Sequence, residues 1–95
     1  MSEEHVIRTE KRIDTKTAPA LDKDVSAAIA AGSGDIIVDM ADTLYISSMG
    51  LRVLLSAKKK LRNTGRSLRV RNVCQTVMEV FDITGYSGFL DFEEA

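Results

Sequence analysis

The chain has 95 residues, 44% of them hydrophobic and 28% charged, and its formal net charge is −1. That size favours a single domain over residues 1–95, with residues 1–4 as a loose N-terminal end, and the single cysteine, Cys74, excludes an internal disulfide. No apolar run approaches the ~20 residues that cross a bilayer, and no basic-then-apolar leader opens the sequence, so we expect a cytoplasmic protein without membrane insertion.

The first third of the chain predicts a weak strand followed by a helix. Residues 5–13 are weakly strand-like. Asp14 and Thr15 then offer capping oxygens, Pro19 suits a first helical turn, and Gly32 suits the end of the helix. Apolar residues recur at helical spacing and predict its buried side: Ala18, Leu21, Val25, Ala28 and Ile29.

The middle of the chain predicts a central strand and a second helix. Residues 35–40, DIIVDM, are too short for a helix and rich in β-branched side chains, which favours a buried strand. A loop follows that is expected to return to apolar surroundings through Leu44 and Ile46. A helix is then expected from about Ser48 to Asn63, with Gly65 after its end. Its inward positions are Leu51, Leu54, Leu55, Ala57 and Leu61.

The last third predicts a strand, a helix and a short final strand. Residues 67–73 alternate Leu68 and Val70 with Arg69 and Arg71, which indicates a strand with one solvated face. The third helix covers residues 74–85, and its inward positions are Val77, Val80, Phe81 and Ile83. Residues 89–92 form the last strand. Helices that alternate with short strands predict an α/β fold with a mostly parallel, open sheet packed against helices.

The charge is distributed unevenly along the chain. Residues 52–71 contain no acid and eight of the thirteen basic residues: Arg52, Lys58, Lys59, Lys60, Arg62, Arg66, Arg69 and Arg71. Such a block can mark a nucleic-acid or phosphate surface, but the interpretation that we favour is a solvated helix face next to a strand edge. Because the chain has few aromatic residues for base stacking, we do not expect direct nucleic-acid binding.

The sequence lacks the residues that most enzyme classes need. His5 is the single histidine, so no base is available to activate a serine and no zinc site can form with one cysteine. Neither a phosphate-binding loop nor a dinucleotide fingerprint is present. We therefore expect no catalytic residue, no metal site and no cofactor. Asp39, at the end of the central strand, is expected to bond backbone amides of the following loop.

The segment LYISSMGLRVLL, residues 44–55, places two serines at the predicted start of the second helix. In open α/β sheets the functional crevice lies outside the carboxyl ends of the strands, and the strand at 35–40 leads into this segment. One serine suffices for a helix cap. Met49 and Gly50 are typical of an adaptable surface that a partner approaches closely. From the residues alone, a cap and a functional serine remain equally open.

Three stretches resemble the STAS domain of bacterial anti-sigma-factor antagonists. IIVDMADTLYISSMGLRVLL resembles the family signature of strand, acidic loop, serine-containing pair, Gly-Leu and apolar helix. RIDTKTAPAL resembles the segment that opens the first helix, and LRVRNVCQTVMEVFDITGYSGFLDF resembles the closing strand, helix and strand. The resemblance covers roughly residues 12–92 and implies a single small STAS-like domain.

The resemblance also implies a function. Antagonists of this family bind an anti-sigma factor that is also a serine kinase, are released when that kinase phosphorylates them, and are reset by a serine phosphatase, so they regulate transcription indirectly. Alignment on Gly50 and Leu51 makes Ser48 the phosphoacceptor and Ser47 a less suitable alternative. Ser47 stands where the family commonly has Asp, and Met49 stands where it usually has a small residue. The implied partner-binding residues are Ile46, Ser47, Met49, Gly50, Leu51 and Arg52.

A second function is compatible with the same fold. The chain could serve as a STAS accessory or scaffold subunit of a lipid or anion transporter, or of a stress-signalling complex, with the Ser48 surface docked permanently. The terminal segments are shorter than the family pattern, so the chain could be a trimmed version of the domain, or a partner could complete the edges of the sheet. We expect at most a weak homodimer.

Overall fold

A computed structural model describes residues 4–93 and contains three helices, six strands and one 3₁₀ turn within that range. The predicted loose end at residues 1–4 lies outside the described residues except for Glu4, which begins the first strand. The elements are β1 (Glu4–Arg8), β2 (Arg12–Ile13), α1 (Ala18–Ala30), β3 (Asp35–Asp39), β4 (Tyr45–Ile46), α2 (Ser48–Lys60), β5 (Leu68–Arg71), α3 (Gln75–Thr84), the 3₁₀ turn (Tyr86–Gly88) and β6 (Asp91–Glu93).

The main sheet has the strand order β1-β3-β5-β6, and every pair in it is parallel. This confirms the predicted α/β fold with a mostly parallel sheet. The single weak strand predicted over residues 5–13 is wrong in one respect, because the segment contains two strands. At the break, the Thr9 N–H donates to the carbonyl of Asp39, and β2 then pairs with β4 in a separate two-stranded parallel ribbon.

The hydrophobic core lies on one face of the main sheet. Alternate residues of β3 and β5 point into it, and helix positions pack against them, as predicted: Ile36, Val38, Leu68, Val70, Leu21, Val25, Leu54 and Phe81. Of the predicted capping oxygens before α1, Asp14 Oδ1 accepts the N–H groups of Lys16 and Thr17. Thr15 forms no such bond among residues 4–93. None of the helices described is long and apolar enough to cross a membrane.

Two predicted features of the helices are wrong. Ile83 is 86% exposed, because it lies two residues after the buried Phe81 and therefore on the far side of α3. The second helix ends at Lys60 rather than Asn63, since the chain tightens into a turn in which the Thr64 N–H donates to the Leu61 carbonyl. Asn63 itself takes a left-handed conformation with φ of 65°. Leu55, predicted inward, is half-buried.

The opposite face of the sheet carries a network of ion pairs, which corrects the prediction of a solvated face for Arg69 and Arg71. The Arg69 guanidinium lies 2.8 Å from Glu4, 2.9 Å from Asp35 and 3.0 Å from Glu93. Its side chain is 26% exposed. Arg69 is in register with Ile37 and Asp91, and Asp35 and Glu93 each lie two residues from those partners, so their side chains are on the same face of the sheet as the arginine.

Candidate functional site

The candidate site lies at the carboxyl end of β3, where Asp39 holds the following loop. Asp39 Oδ1 accepts the Ala41 N–H at 3.0 Å and the Asn72 side-chain amide at 3.1 Å, which confirms the predicted bond to a loop amide. Burial raises the pKa of the Asp39 carboxyl, but the bonds from Asn72 and Ala41 and the charge of Arg71 outweigh it and hold that pKa below its ordinary value. Asp39 is therefore a structural carboxylate.

Thr43 fixes the middle of the same loop. Its side chain is fully buried, and its hydroxyl donates to the Glu10 carbonyl at 2.7 Å and contacts the Thr9 hydroxyl. The Cys74 thiol donates to the Thr43 carbonyl at 3.3 Å. This cluster could not be predicted from the sequence, in which its sole sign is a threonine between two apolar stretches. It joins three chain segments and so sets where the loop leaves the sheet.

The β2–β4 ribbon positions the start of α2. Ile13 pairs with Ile46, and the Ser47 N–H donates to the Ile13 carbonyl at 2.7 Å. Gly50, in the first turn of α2, faces these two isoleucines. A β-carbon at that position would lie 2.5 Å from Ile13 Cγ2 and 2.8 Å from Ile46 Cγ1, so a side chain there would force the helix away from the ribbon.

The two consecutive serines have different roles. Ser47 is the N-cap of α2, in an extended backbone conformation, and its hydroxyl accepts the Gly50 N–H at 3.4 Å. Ser48 is the first helical residue, its side chain is exposed, and its hydroxyl forms no hydrogen bond with residues 4–93. The capping requirement is met by Ser47 alone. The Ser48 hydroxyl is left available to another molecule.

The implied partner-binding residues divide by burial. Met49 is 39% exposed and Arg52 is also exposed, whereas Ser47 is half-buried. The other three are buried: Ile46, Gly50 and Leu51. Their side of the segment packs against the core and so positions the exposed residues.

Three further residues around Ser48 were not identified from the sequence. The expectation that Leu44 returns to apolar surroundings is wrong, because Leu44 is 52% exposed. Tyr45 is 42% exposed, and such exposure is unusual for large apolar side chains next to a core segment. The Arg12 guanidinium lies 4.4 Å from the centre of the Tyr45 ring and 3.7 Å from Asp14. These residues are hard to identify from the sequence. The ribbon that turns them outward has two residues in each strand, which is too short for a periodic pattern.

The chemistry available at Ser48 is that of an exposed hydroxyl on a helix N-terminus. The first intrahelical bond is donated by the Leu51 N–H to the Ser47 carbonyl, so the N–H groups of Ser48 and Met49 precede it and favour negative charge nearby. His5 bonds the Ser33 carbonyl, before the start of β3 and so at the other end of the strands. Within residues 4–93 no group of three or more His, Cys, Asp or Glu residues is arranged to hold a metal ion.

Comparisons with known proteins agree with this architecture. The chain is 30% identical over 79 residues to the anti-sigma-B factor antagonist of Bacillus subtilis, covering 83% of this chain and 72% of that protein. An anti-sigma factor antagonist from Mycobacterium paratuberculosis superposes with a TM-score of 0.78 at 25% identity, covering 97% of this chain and 81% of the other. The Bacillus cell fate determinant SpoIIAA in its phosphorylated form shares the fold, with a TM-score of 0.73, 24% identity and coverage of 100% and 85%.

The family model described as the STAS domain matches residues 2–95, which is nearly the whole chain. The all-parallel main sheet and the serine pair at the start of α2 therefore occur in the context that the sequence resemblance predicted. This chain belongs to the STAS domain family.

Proposed function

We propose that this chain is an anti-sigma-factor antagonist that binds an anti-sigma factor with serine kinase activity and is released when Ser48 is phosphorylated. The proposal rests on the different roles of the two serines. Ser47 caps α2, whereas the Ser48 hydroxyl is exposed and forms no hydrogen bond among the described residues. The names of the relatives support the same class of function.

The surroundings of Ser48 suit a protein interface. Leu44, Tyr45 and Met49 expose apolar surface within a few residues of the hydroxyl, and Arg52 adds a cation. In the proposed complex this surface packs against the anti-sigma factor, and the serine faces its kinase site. The chain itself acts as a binding module without catalysis of its own, and a serine phosphatase restores the binding form.

The proposed switch acts through charge. The kinase transfers the γ-phosphoryl group of ATP to the Ser48 hydroxyl, the hydroxyl proton leaves, and ADP is the leaving group. The phosphate carries about −1.5 to −2 charges at neutral pH, which the start of α2 tolerates. At the interface the same charge is desolvated against a surface that fits a neutral hydroxyl, and a loss of even ~3 kcal/mol weakens binding more than 100-fold. The antagonist is therefore released without unfolding.

Phosphorylation is tested with the anti-sigma factor kinase encoded nearest to this gene, ATP and intact mass spectrometry. We expect one phosphate on the wild-type chain and none on S48A. The matched control is S47D, which keeps a capping oxygen and introduces the residue common in the family, and it should still accept one phosphate. Phosphate that persists on S48A would overturn the assignment of Ser48.

Release is tested by calorimetry or biosensor binding to the same partner. S48D should bind at least about tenfold more weakly than wild type, because a carboxylate is introduced at the interface. S47D serves again as the control for a carboxylate placed one residue away. Equal affinities of wild type and S48D would contradict the proposed switch.

A further inference from the structure

Arg52 lies one helical turn after Ser48 on the outer face of α2. Both residues belong to the same helix, both are exposed, and they are separated by four positions. Residues spaced in this way have β-carbons about 5–6 Å apart on a helix surface. The order of the pair, with the acceptor of a phosphate before the cation, is the favourable one for an α-helix.

The arginine side chain is free to reach that position. Among residues 4–93 Arg52 forms no ion pair, in contrast to Lys58 of the same helix, which lies 2.8 Å from Asp91. Helical side chains commonly lean toward the N-terminus of their helix, so the turn that holds Ser48 is within reach of the Arg52 guanidinium. A guanidinium matches the geometry of a phosphate with two parallel hydrogen bonds.

The other charged groups near the start of α2 are either engaged or lie on different elements. Asp14 accepts the N–H groups of Lys16 and Thr17 and pairs with Arg12 at 3.7 Å. The charged residues of α1, the helix packed against α2, form no ion pair with Arg52: Asp22, Lys23 and Asp24. The remaining exposed cations of α2, Lys59 and Lys60, lie about two to three turns farther along the helix.

We propose that Arg52 binds the phosphate of phosphorylated Ser48 across one turn of α2. The inference rests on the proposed function in one respect, that Ser48 is the residue modified. The modification then has two effects on the same surface: it adds the negative charge of the phosphate, and it withdraws an exposed cation of α2 from the partner. Arg52 acts as a positioning residue that fixes the phosphate against the helix.

The test places phosphoserine at position 48 by genetic code expansion, so that no kinase or partner is needed. The pH titration of its ³¹P resonance is compared in otherwise wild-type protein and in the R52Q, R52K and K59Q variants. We expect R52Q to move the titration midpoint up by roughly 0.3 pH unit, because the dianion loses its counter-charge. K59Q, which removes a cation from the same helix at a greater distance, should leave the midpoint unchanged.

The conservative variant and salt separate a direct contact from a structural role. R52K keeps the charge but loses the paired hydrogen bonds, so its midpoint should lie between those of R52Q and wild type, and 1 M NaCl should reduce the difference between R52Q and wild type. Equal midpoints for wild type and R52Q at low salt would overturn the inference. Because phosphoserine is incorporated during translation and not by the kinase, that result would leave the proposed switch itself standing, whereas a failure of kinase labelling would leave the Arg52 contact intact.

Discussion

The two halves of the basic segment 52–71 contain the same types of basic residue but differ in how far these are buried and bonded. In the α2 half, Arg52, Lys59, Lys60 and Arg62 are exposed and form no ion pair among residues 4–93. In the other half, Arg66, Arg69 and Arg71 are half-buried and bonded to named acceptors. For Arg69 and Arg71 the backbone explains the difference, because a strand aligns its side chains with those of its neighbours, whereas α2 turns one side away and pairs Lys58 alone, with Asp91, among the described residues. Composition alone therefore cannot say which cations are available to a partner.

The largest effect on stability is expected from Arg69. R69A would leave Glu4, Asp35 and Glu93 close together without their shared cation. We expect a loss of about 2–3 kcal/mol in the free energy of unfolding, reduced from the value for a fully buried pair because the group is partly exposed. Urea denaturation measures it, with K59A as the control from the other half of the segment. A loss as small as that of K59A would mean that the network contributes no stability.

The next largest loss of stability is expected from Arg66, because it binds carbonyl groups at and just after the end of α1, far from it in the chain. Its guanidinium donates to the carbonyls of Gly34, Ile29 and Ala28 at 2.8, 2.9 and 2.8 Å. A lysine cannot reproduce this fork, so R66K should lose about 1–2 kcal/mol despite the conserved charge. Thermal unfolding measures the loss. If R66K were as stable as wild type, the charge of Arg66 rather than the geometry of its hydrogen bonds would account for its contribution to stability.

Acid should weaken the strand half selectively. Bonds from the Ser67 N–H and from Arg69 lower the pKa of Asp35, and the bond from Arg69 lowers the pKa of Glu93. A lowered native pKa gives stability that is complete above the ordinary pKa near 4 and is lost as pH falls through the lowered one. We expect the unfolding free energy to fall between about pH 4 and pH 2, and less steeply in D35N. An equal slope in D35N would contradict this source of acid sensitivity.

The smallest effect is expected from the helix half. A triple variant, R52Q/K59Q/K60Q, should change the free energy of unfolding by less than about 0.5 kcal/mol, because these cations have no partner among residues 4–93. The triple variant should instead change the association of the chain with the anti-sigma factor. The rate of binding to the anti-sigma factor should decrease at low salt and converge with wild type at high salt. A large loss of stability would show that the two halves differ less than their contacts indicate.

The sequence predicted the elements with strong periodicity and missed the contacts that depend on register. The buried positions of α1 and α2 followed from apolar spacing, and the parallel sheet followed from the alternation of helices and strands. The β2–β4 ribbon was not predicted, because two-residue strands have no periodic pattern. The roles of Arg69 and Arg66 were not predicted either, since their acceptors lie about thirty residues away in the chain. The site was predicted in part: the serine pair was identified, and the exposed Leu44 and Tyr45 were not.

Gly50 leaves no space for even one methyl group between the first turn of α2 and the isoleucines of the ribbon. Ser48 therefore lies on a helical turn that packs directly against the side chains of the ribbon. We therefore expect a modification of Ser48 to weaken partner binding in proportion to the charge that it adds, and not through a change in the shape of the domain. Aspartate at position 48 supplies about −1, compared with −1.5 to −2 for phosphate, and should therefore reproduce the released state only in part.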